Sequence, residues 1–427
     1  MKRRNKAIAA MLVAAMTASL AMTGCGGTEK ASNDKKELTV WAWDVALKAL
    51  EDASVEYQKD HPDVTFNFEE MGTDQIYKKL STSLATGNGI ADIILIEGDV
   101  LVGYADKFPE GFLDLTDVVN VDDFLSSKMK EVTYNDKVHA FPWDAGPMGL
   151  FYRTDYFEEA GVNPDDIQTW DDLIEAGHKI EETCKNPNGD PVKMLPVDPK
   201  KSSLYSMIRG ELGIGVFDED GNPIVDCEKS IKAMEKAKEI YDSGVALAYN
   251  GWDEYEQTVA NESVATIPEA VWMIGTIKDK GPQTEGKWGV IDLPKIDGGE
   301  YSVNNGGSDL AINAKSKCAD EAKDFCKFAM TDAKIQASAF EKYGLYPSYI
   351  PSYDEEVFQK GDSFFGEENI YNVFIENGKN VADIPISPNA LEASDSIGAA
   401  VSKIFLSGED VTTTMENLED ELKTKFN

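Results

Sequence analysis

The chain has 427 residues and sets 41 Lys and Arg against 77 Asp and Glu, a formal net charge of −36. That length supports two or three domains, or one architecture with two cores, and excludes a small disulfide-stapled module. The charge repels phosphates, which excludes nucleic acid as a partner, while 42% hydrophobic and 10% aromatic residues are too many for a disordered acidic chain.

The first residues address the protein rather than fold it. Lys2, Arg3, Arg4 and Lys6 precede an apolar run from Ala7 to Met22, the pattern of a secretory signal and short for a membrane span. Leu20-Ala21-Met22-Thr23-Gly24-Cys25-Gly26 resembles a bacterial lipobox, with Met22 standing where Leu is usual. The resemblance implies that residues 1–24 are a signal peptide and that an acylated Cys25 anchors the protein outside the cell membrane; a soluble secreted protein with a free Cys25 is the alternative. The small, polar run that follows reads as a tether, so 25–37 are lipidated Cys and linker, and folding is expected from Glu37.

Leu38 to Trp43 reads as a strand, Val45 to Lys59 as a helix stopped by His61-Pro62, Val64 to Phe68 as a second strand and Asp74 to Thr86 as a helix ended by Gly87-Asn88-Gly89. Ile90 to Ile96 is a third strand. Strands separated by single helices predict parallel right-handed crossovers and an open α/β sheet, which binds ligands at strand C-terminal ends. Val138 to Pro142 and Gly149 to Tyr152 are extended around the kink Asp144-Ala145-Gly146-Pro147, a candidate crossing between lobes. Thr169 to Asp172 is a capping box opening a helix, Asp218 to Asn222 a hairpin turn, and Ile231 to Tyr241 a helix. Trp288 to Pro294 reads as a strand whose Pro marks a return crossing. Helices over Ala319 to Met330 and Lys334 to Tyr343 follow, and the tail from Ser387 to Lys425 is helical with breaks near Pro388 and Gly408.

Beyond Cys25 the cysteines are Cys184, Cys227, Cys318 and Cys326. They form no CxxC, and with His61, His139 and His178 they make no metal spacing. Buried thiols are expected, with a Cys184 to Cys227 bridge left open; no cofactor is expected.

Several segments together resemble the family 1 extracellular solute-binding proteins, the maltose-binding-protein type. They are Leu38 to Trp43 before His61-Pro62, Leu84 to Gly89 leading to Ala91-Asp92-Ile93-Ile94, and Ala140-Phe141-Pro142 with Gly149 to Asp155. Phe157 to Val162 with Thr169 to Leu173, and Gly306 to Ile312, continue the likeness. The resemblance implies a two-lobed periplasmic-binding-protein-like type II fold with hinge strands and a central ligand cleft. It places the N-terminal lobe at 38–145 and 293–345 and the C-terminal lobe at 146–292 and 346–427. It also implies a monomer that closes on a sugar and delivers it to the permease subunits of an ABC importer, without catalysis.

A sugar's C–H faces stack on aromatic rings, and each hydroxyl leaving water needs a partner. Candidate binding residues are therefore Trp43-Asp44 after the first strand, Glu97 and Asp99 after the third, Trp143-Asp144 at the first crossing, and Trp252. Glu269 and Trp272 lie in Pro268 to Trp272, which matches the segment where maltose-binding proteins place a stacking Trp. Asp99 matches a hydroxyl-binding Asp of the family, whose neighbouring Trp corresponds here to Ile96. Gly307, Ser308, Asp309, Tyr205 and Tyr346 complete the set, whereas Trp41, Trp170 and Trp288 are read as packing. Two other functions stay open: an extracellular carbohydrate-active enzyme, although 77 acids select no catalytic pair, and a lipoprotein receptor for peptides or another solute.

Overall fold

A computed structural model describes residues 36–366 and 369–426, the side chain of Asp99 excepted; the signal segment, Cys25 and the tether through residue 35 lie outside the described residues. The chain opens with β1 (Lys36–Ala42), α1 (Asp44–Tyr57), β2 (Val64–Glu70), α2 (Thr73–Thr86), β3 (Ile93–Glu97) and α3 (Gly98–Lys107). β1 pairs in parallel with β2 along its whole length and with β3 on its other edge, as the strand–helix alternation predicts. Trp41 packs at 1% exposure, its indole N–H donated to Glu69 Oε2 at 3.0 Å.

α4 (Ser126–Val132) precedes β4 (Ala140–Pro142), and β5 (Asp144–Ala145) carries the chain into a second lobe. There β6 (Met148–Arg153) and α5 (Trp170–Thr183) follow, the latter opening on the Thr169–Asp172 capping box with both of its bonds formed. Next come β7 (Leu195–Val197), α6 (Ser203–Glu211), α7 (Glu228–Asp242), α8 (Trp252–Ala260), β8 (Thr266–Ala270), α9 (Met273–Lys280) and β9 (Trp288–Ile291). β8 and β9 flank β6 antiparallel, and β7 joins the β8 edge through Thr266 N–H to Met194 O at 2.7 Å.

β10 (Ser308–Ile312) then returns to the first sheet, whose order is β2-β1-β3-β10-β4, and runs antiparallel to both of its neighbours there. α10 (Ala319–Thr331), α11 (Ala333–Tyr343), β11 (Tyr346–Pro347), α12 (Tyr371–Gly378), α13 (Ala390–Ser407) and α14 (Val411–Phe426) complete the chain. Val40, Ile94, Phe141, Leu310 and Phe325 sit in the core of the first lobe, and Leu150, Trp170, Ile208, Ile240 and Met415 in that of the second. A third apolar cluster, with Phe151, Ile267, Trp288, Phe340 and Phe374, lies behind the hinge. Among the described residues, no helix is long and apolar enough to cross a membrane, and Cys184, Cys227, Cys318 and Cys326 are free thiols.

The lobes are joined by three crossings. The return crossing was expected at Leu293, but Leu293, Ile296 and Val303 pack into the second core and the chain re-enters the first sheet only at Ser308. The boundary therefore falls at 303–307. The third crossing is β11, which pairs with β5. At the first two the backbones nearly touch: Asn305 N–H donates to Gly146 O at 2.8 Å, and a Cβ on Gly146 would stand 2.1 Å from Asn305 O. Only glycine fits there. On the far side α13 lies against α3, and Lys107 pairs with Glu392 and Lys130 with Asp383 across the lobes.

Two buried charges organise these cores. Lys128, 1% exposed, reaches from α4 to Asp309 at 3.0 Å and Glu131 at 2.5 Å, and Asp309 is wholly buried. Burial lowers the Lys128 pKa, but these acids outweigh it and the net shift is upward. In the second lobe, buried Glu211 accepts Trp170 Nε1–H at 3.2 Å and Ile296 N–H at 2.8 Å; burial pushes its carboxyl up from 4.5 to about 7, against those bonds.

Two stability outcomes follow from these groups. Lys128→Met strands Asp309 without its counter-ion and should cost roughly 3 to 5 kcal/mol in denaturant unfolding; a loss near zero would refute the role given to the pair. Because the folded Glu211 pKa lies above the unfolded one, its contribution is full below about 4.5 and is lost as pH rises through about 7. Wild type should therefore lose up to about 3 kcal/mol more than Glu211→Gln between about pH 5 and about pH 7.5; parallel curves would contradict this.

Candidate ligand-binding cleft

The second lobe presents an aromatic wall. Trp252 starts α8 after Asn250-Gly251 and is 38% exposed, because the turn before it leaves its ring outside the core. Its ring centre lies 5.8 Å from that of Trp272 and 5.3 Å from Tyr255, which in turn stacks on Tyr249 at 4.8 Å. Trp272 stands between β8 and α9, half-buried, its Nε1–H donated to Asn305 O at 3.1 Å.

Glu269, at the end of β8, closes the polar edge of this wall. Its Oε1 accepts Ala270 N–H at 2.9 Å and Asn305 Nδ2–H at 2.6 Å, and its Oε2 faces Tyr255 Oη at 3.4 Å. Burial pushes the carboxyl up from 4.5 to about 7 despite those donors. Behind it lies a cavity of about 100 Å³, reached by Asp198, Ser206, Met207, Tyr249, Tyr255 and Asn304. Flat apolar rings beside a carboxyl and amides form a surface for a ligand with one apolar face and hydrogen-bonding edges.

Trp43 and Asp44 follow the C-terminal end of β1 in the first lobe. Trp43 is half-buried, edge-on to Tyr77 at 6.4 Å. Asp44 adopts a φ of 46°, a strained backbone for a residue with a side chain. Its carboxyl, though exposed, is pushed up by desolvation from the surrounding protein, with added repulsion from Glu256 of α8 and from Glu70. Glu97 caps α3 and accepts Tyr77 Oη–H at 2.7 Å. Asp99 lies in the first turn of α3, but its side chain is outside the described residues.

The structure thus brings Trp252, Glu269 and Trp272 together, while Trp43, Asp44 and Glu97 lie at the ends of β1 and β3 in the first lobe. Other expected site residues are interior. Trp143 is 2% exposed within the first-lobe core, and Ser348 N–H, just after the third crossing, bonds to its carbonyl. Tyr205 faces α7, its hydroxyl 2.5 Å from Ser230 Oγ and its ring under Arg209. Asp144 is buried and accepts Ser308 N–H at 2.7 Å, tying two crossings together; burial raises its pKa to about 6 although Lys128 opposes the shift. Gly307, at a φ of 107°, passes so close to the Asp144 carbonyl that a Cβ would stand 2.5 Å from it. Asp309 is the partner of Lys128, and Tyr346 packs on Phe340 and Tyr353.

Tyr249 and Tyr255 were not among the candidates. Trp252 and Tyr255 stand three apart in α8, a spacing that places them on one helical face, while Tyr249 precedes the helix. Among the described residues no group of His, Cys, Asp and Glu could hold a metal ion.

Residues 52–365 match the sequence profile of the bacterial extracellular solute-binding proteins. The chain is 31% identical over 350 residues to a lactose-binding protein of Rhizobium radiobacter, covering 80% of this chain and 81% of that one. It is 26% identical to an arabinooligosaccharide-binding protein of Bacillus subtilis over 99% of this chain and 100% of the relative. Among solved structures, the GacH receptor of Streptomyces glaucescens, which has acarbose complexes, superposes with a TM-score of 0.80 at 20% identity, covering 92% of this chain and 100% of that one. An ABC transporter associated binding protein from B. animalis subsp. lactis, in complex with beta-1,6-galactobiose, gives 0.78 at 24%, covering 91% and 96%. At those identities the structural likeness is one of fold, and it is a type II periplasmic-binding-protein fold. The profile match and the 31% relative carry the assignment further: this chain belongs to the bacterial extracellular solute-binding protein family.

Proposed function

We propose that this chain binds a neutral saccharide between the aromatic wall and the first lobe and hands it to the permease subunits of an ABC importer, as a monomer and without chemical change to the sugar. The observation that carries this reading is the wall itself. Trp252 and Trp272 lie 5.8 Å apart beside Glu269 and Asn305, so ring surface stands next to hydrogen-bonding groups, the combination a sugar needs. The lactose-binding and arabinooligosaccharide-binding relatives support a saccharide ligand. Trp43, Asp44, Glu97 and Asp99 complete the site from the first lobe, and a lipid on Cys25 holds the protein at the outer face of the cell membrane.

A thermal-shift screen against mono- and oligosaccharides identifies the ligand, since binding at 100 times the dissociation constant adds about 2.7 kcal/mol to stability. With that sugar, calorimetry on Trp272→Ala should show at least about a tenfold weaker association, equivalent to about 1.4 kcal/mol. Its ligand-free stability should fall by about 1 to 3 kcal/mol, from the indole bond to Asn305 and the half-buried ring's packing on two apolar clusters. Unchanged affinity would place the sugar elsewhere.

The anchor has a separate test. Cys25→Ser should release the protein into the medium. Retention of that variant on membranes after a high-salt wash would reject the lipid anchor.

A further inference from the structure

Asn305 is exposed on the second crossing, yet it is bonded at three points. Its N–H donates to Gly146 O at 2.8 Å, its carbonyl accepts the Trp272 indole N–H at 3.1 Å, and its amide nitrogen donates to Glu269 Oε1 at 2.6 Å. The first bond belongs to the hinge and the other two to the wall. An indole with its N–H fixed cannot tilt without breaking that bond, and the Glu269 carboxyl, with Oε1 taken by Asn305 and Ala270, turns Oε2 toward Tyr255 and the cavity.

We propose that Asn305 is the positioning residue of the cleft: it sets the plane of the Trp272 ring and the orientation of the Glu269 carboxyl from the hinge, so that movement of the crossing strands alters both together. This rests on reading that wall as the saccharide platform. Asn305 does so through two others, Trp272 by its backbone and Glu269 by its side chain, and the two links can be separated by mutation.

The side-chain link has a signature in protonation. Burial raises the Glu269 pKa to about 7, and the Asn305 amide opposes that shift by donating to the ionised form. The titratable groups facing Glu269 are Tyr255 from α8 and Tyr249 before it, with Asp198 also acting on Tyr249. Removing the amide should therefore raise the Glu269 midpoint, and putting an acid in its place should raise it further.

The test uses ligand-free, full-length protein labelled with fluorotryptophan, the Trp272 fluorine resonance being assigned by its loss in Trp272→Phe. In wild type that resonance should move with pH around a midpoint near 7. Asn305→Ala should shift the midpoint up by about half a unit or more, and Asn305→Asp should shift it further than Asn305→Ala. Glu269→Gln should abolish the step while the protein stays folded. A wild type without the step, a step that survives in Glu269→Gln, or an unmoved midpoint in both Asn305 variants would each overturn the proposal. Because no sugar is present, failure here leaves the saccharide reading standing, and a failed sugar screen leaves this result readable.

Discussion

The ammonium of Lys128 is enclosed by protein, and it can be charged there only because Asp309 and Glu131 close on it. Asp309 is the second residue of the strand that brings the chain back to the first sheet, so this contact fixes where the return crossing ends. Asp144, one crossing away, is held to Ser308 N–H beside it. One cation thus sets the register of two strands far apart in sequence, and the backbones at Gly146 and Asn305 can approach as they do because that register is pinned.

The cleft inherits its geometry from that point. Trp272 and Glu269 hang from β8, which is laced into the second lobe through β6, and both are bonded to Asn305 on the crossing itself. The platform and the hinge are therefore one connected piece of polar structure, while Trp43 and Asp44 belong to the opposite lobe. The net charge of −36 is a property of the surface. Inside, burial pushes Asp144, Glu211 and Glu269 upward to about 6 or 7, above the ordinary carboxylate range.

What was legible in the sequence was local. The alternation from Leu38 to Ile96 named the parallel strands and their helices because period and breakers are carried by neighbouring residues. The Trp-Asp pairs at 43 and 143 look alike in sequence, each following a strand, yet one ring is half-exposed and the other 2% exposed. The difference is that Trp143 packs into the first core, where its carbonyl is also bonded by Ser348 N–H from some two hundred residues on. Tyr205 was hidden by α7 in the same way, through Ser230. The break at Pro294 read as a crossing, but the apolar residues after it, Leu293's neighbour Ile296 among them, fit only the second core. Contacts made across long sequence separations leave no periodic trace.

The crossing and the wall differ in how much change they can absorb. Gly146 cannot gain a single carbon without striking Asn305 O, whereas Trp252 stands on the first turn of a surface helix with more than a third of its area in water. If the wall is the saccharide platform proposed above, replacing that ring would alter what the cleft accepts and hardly disturb the fold. Sequence variation among closely related chains should therefore collect at the outer end of the aromatic wall and vanish at the strand crossing, so that recognition can diverge while the moving part stays the same.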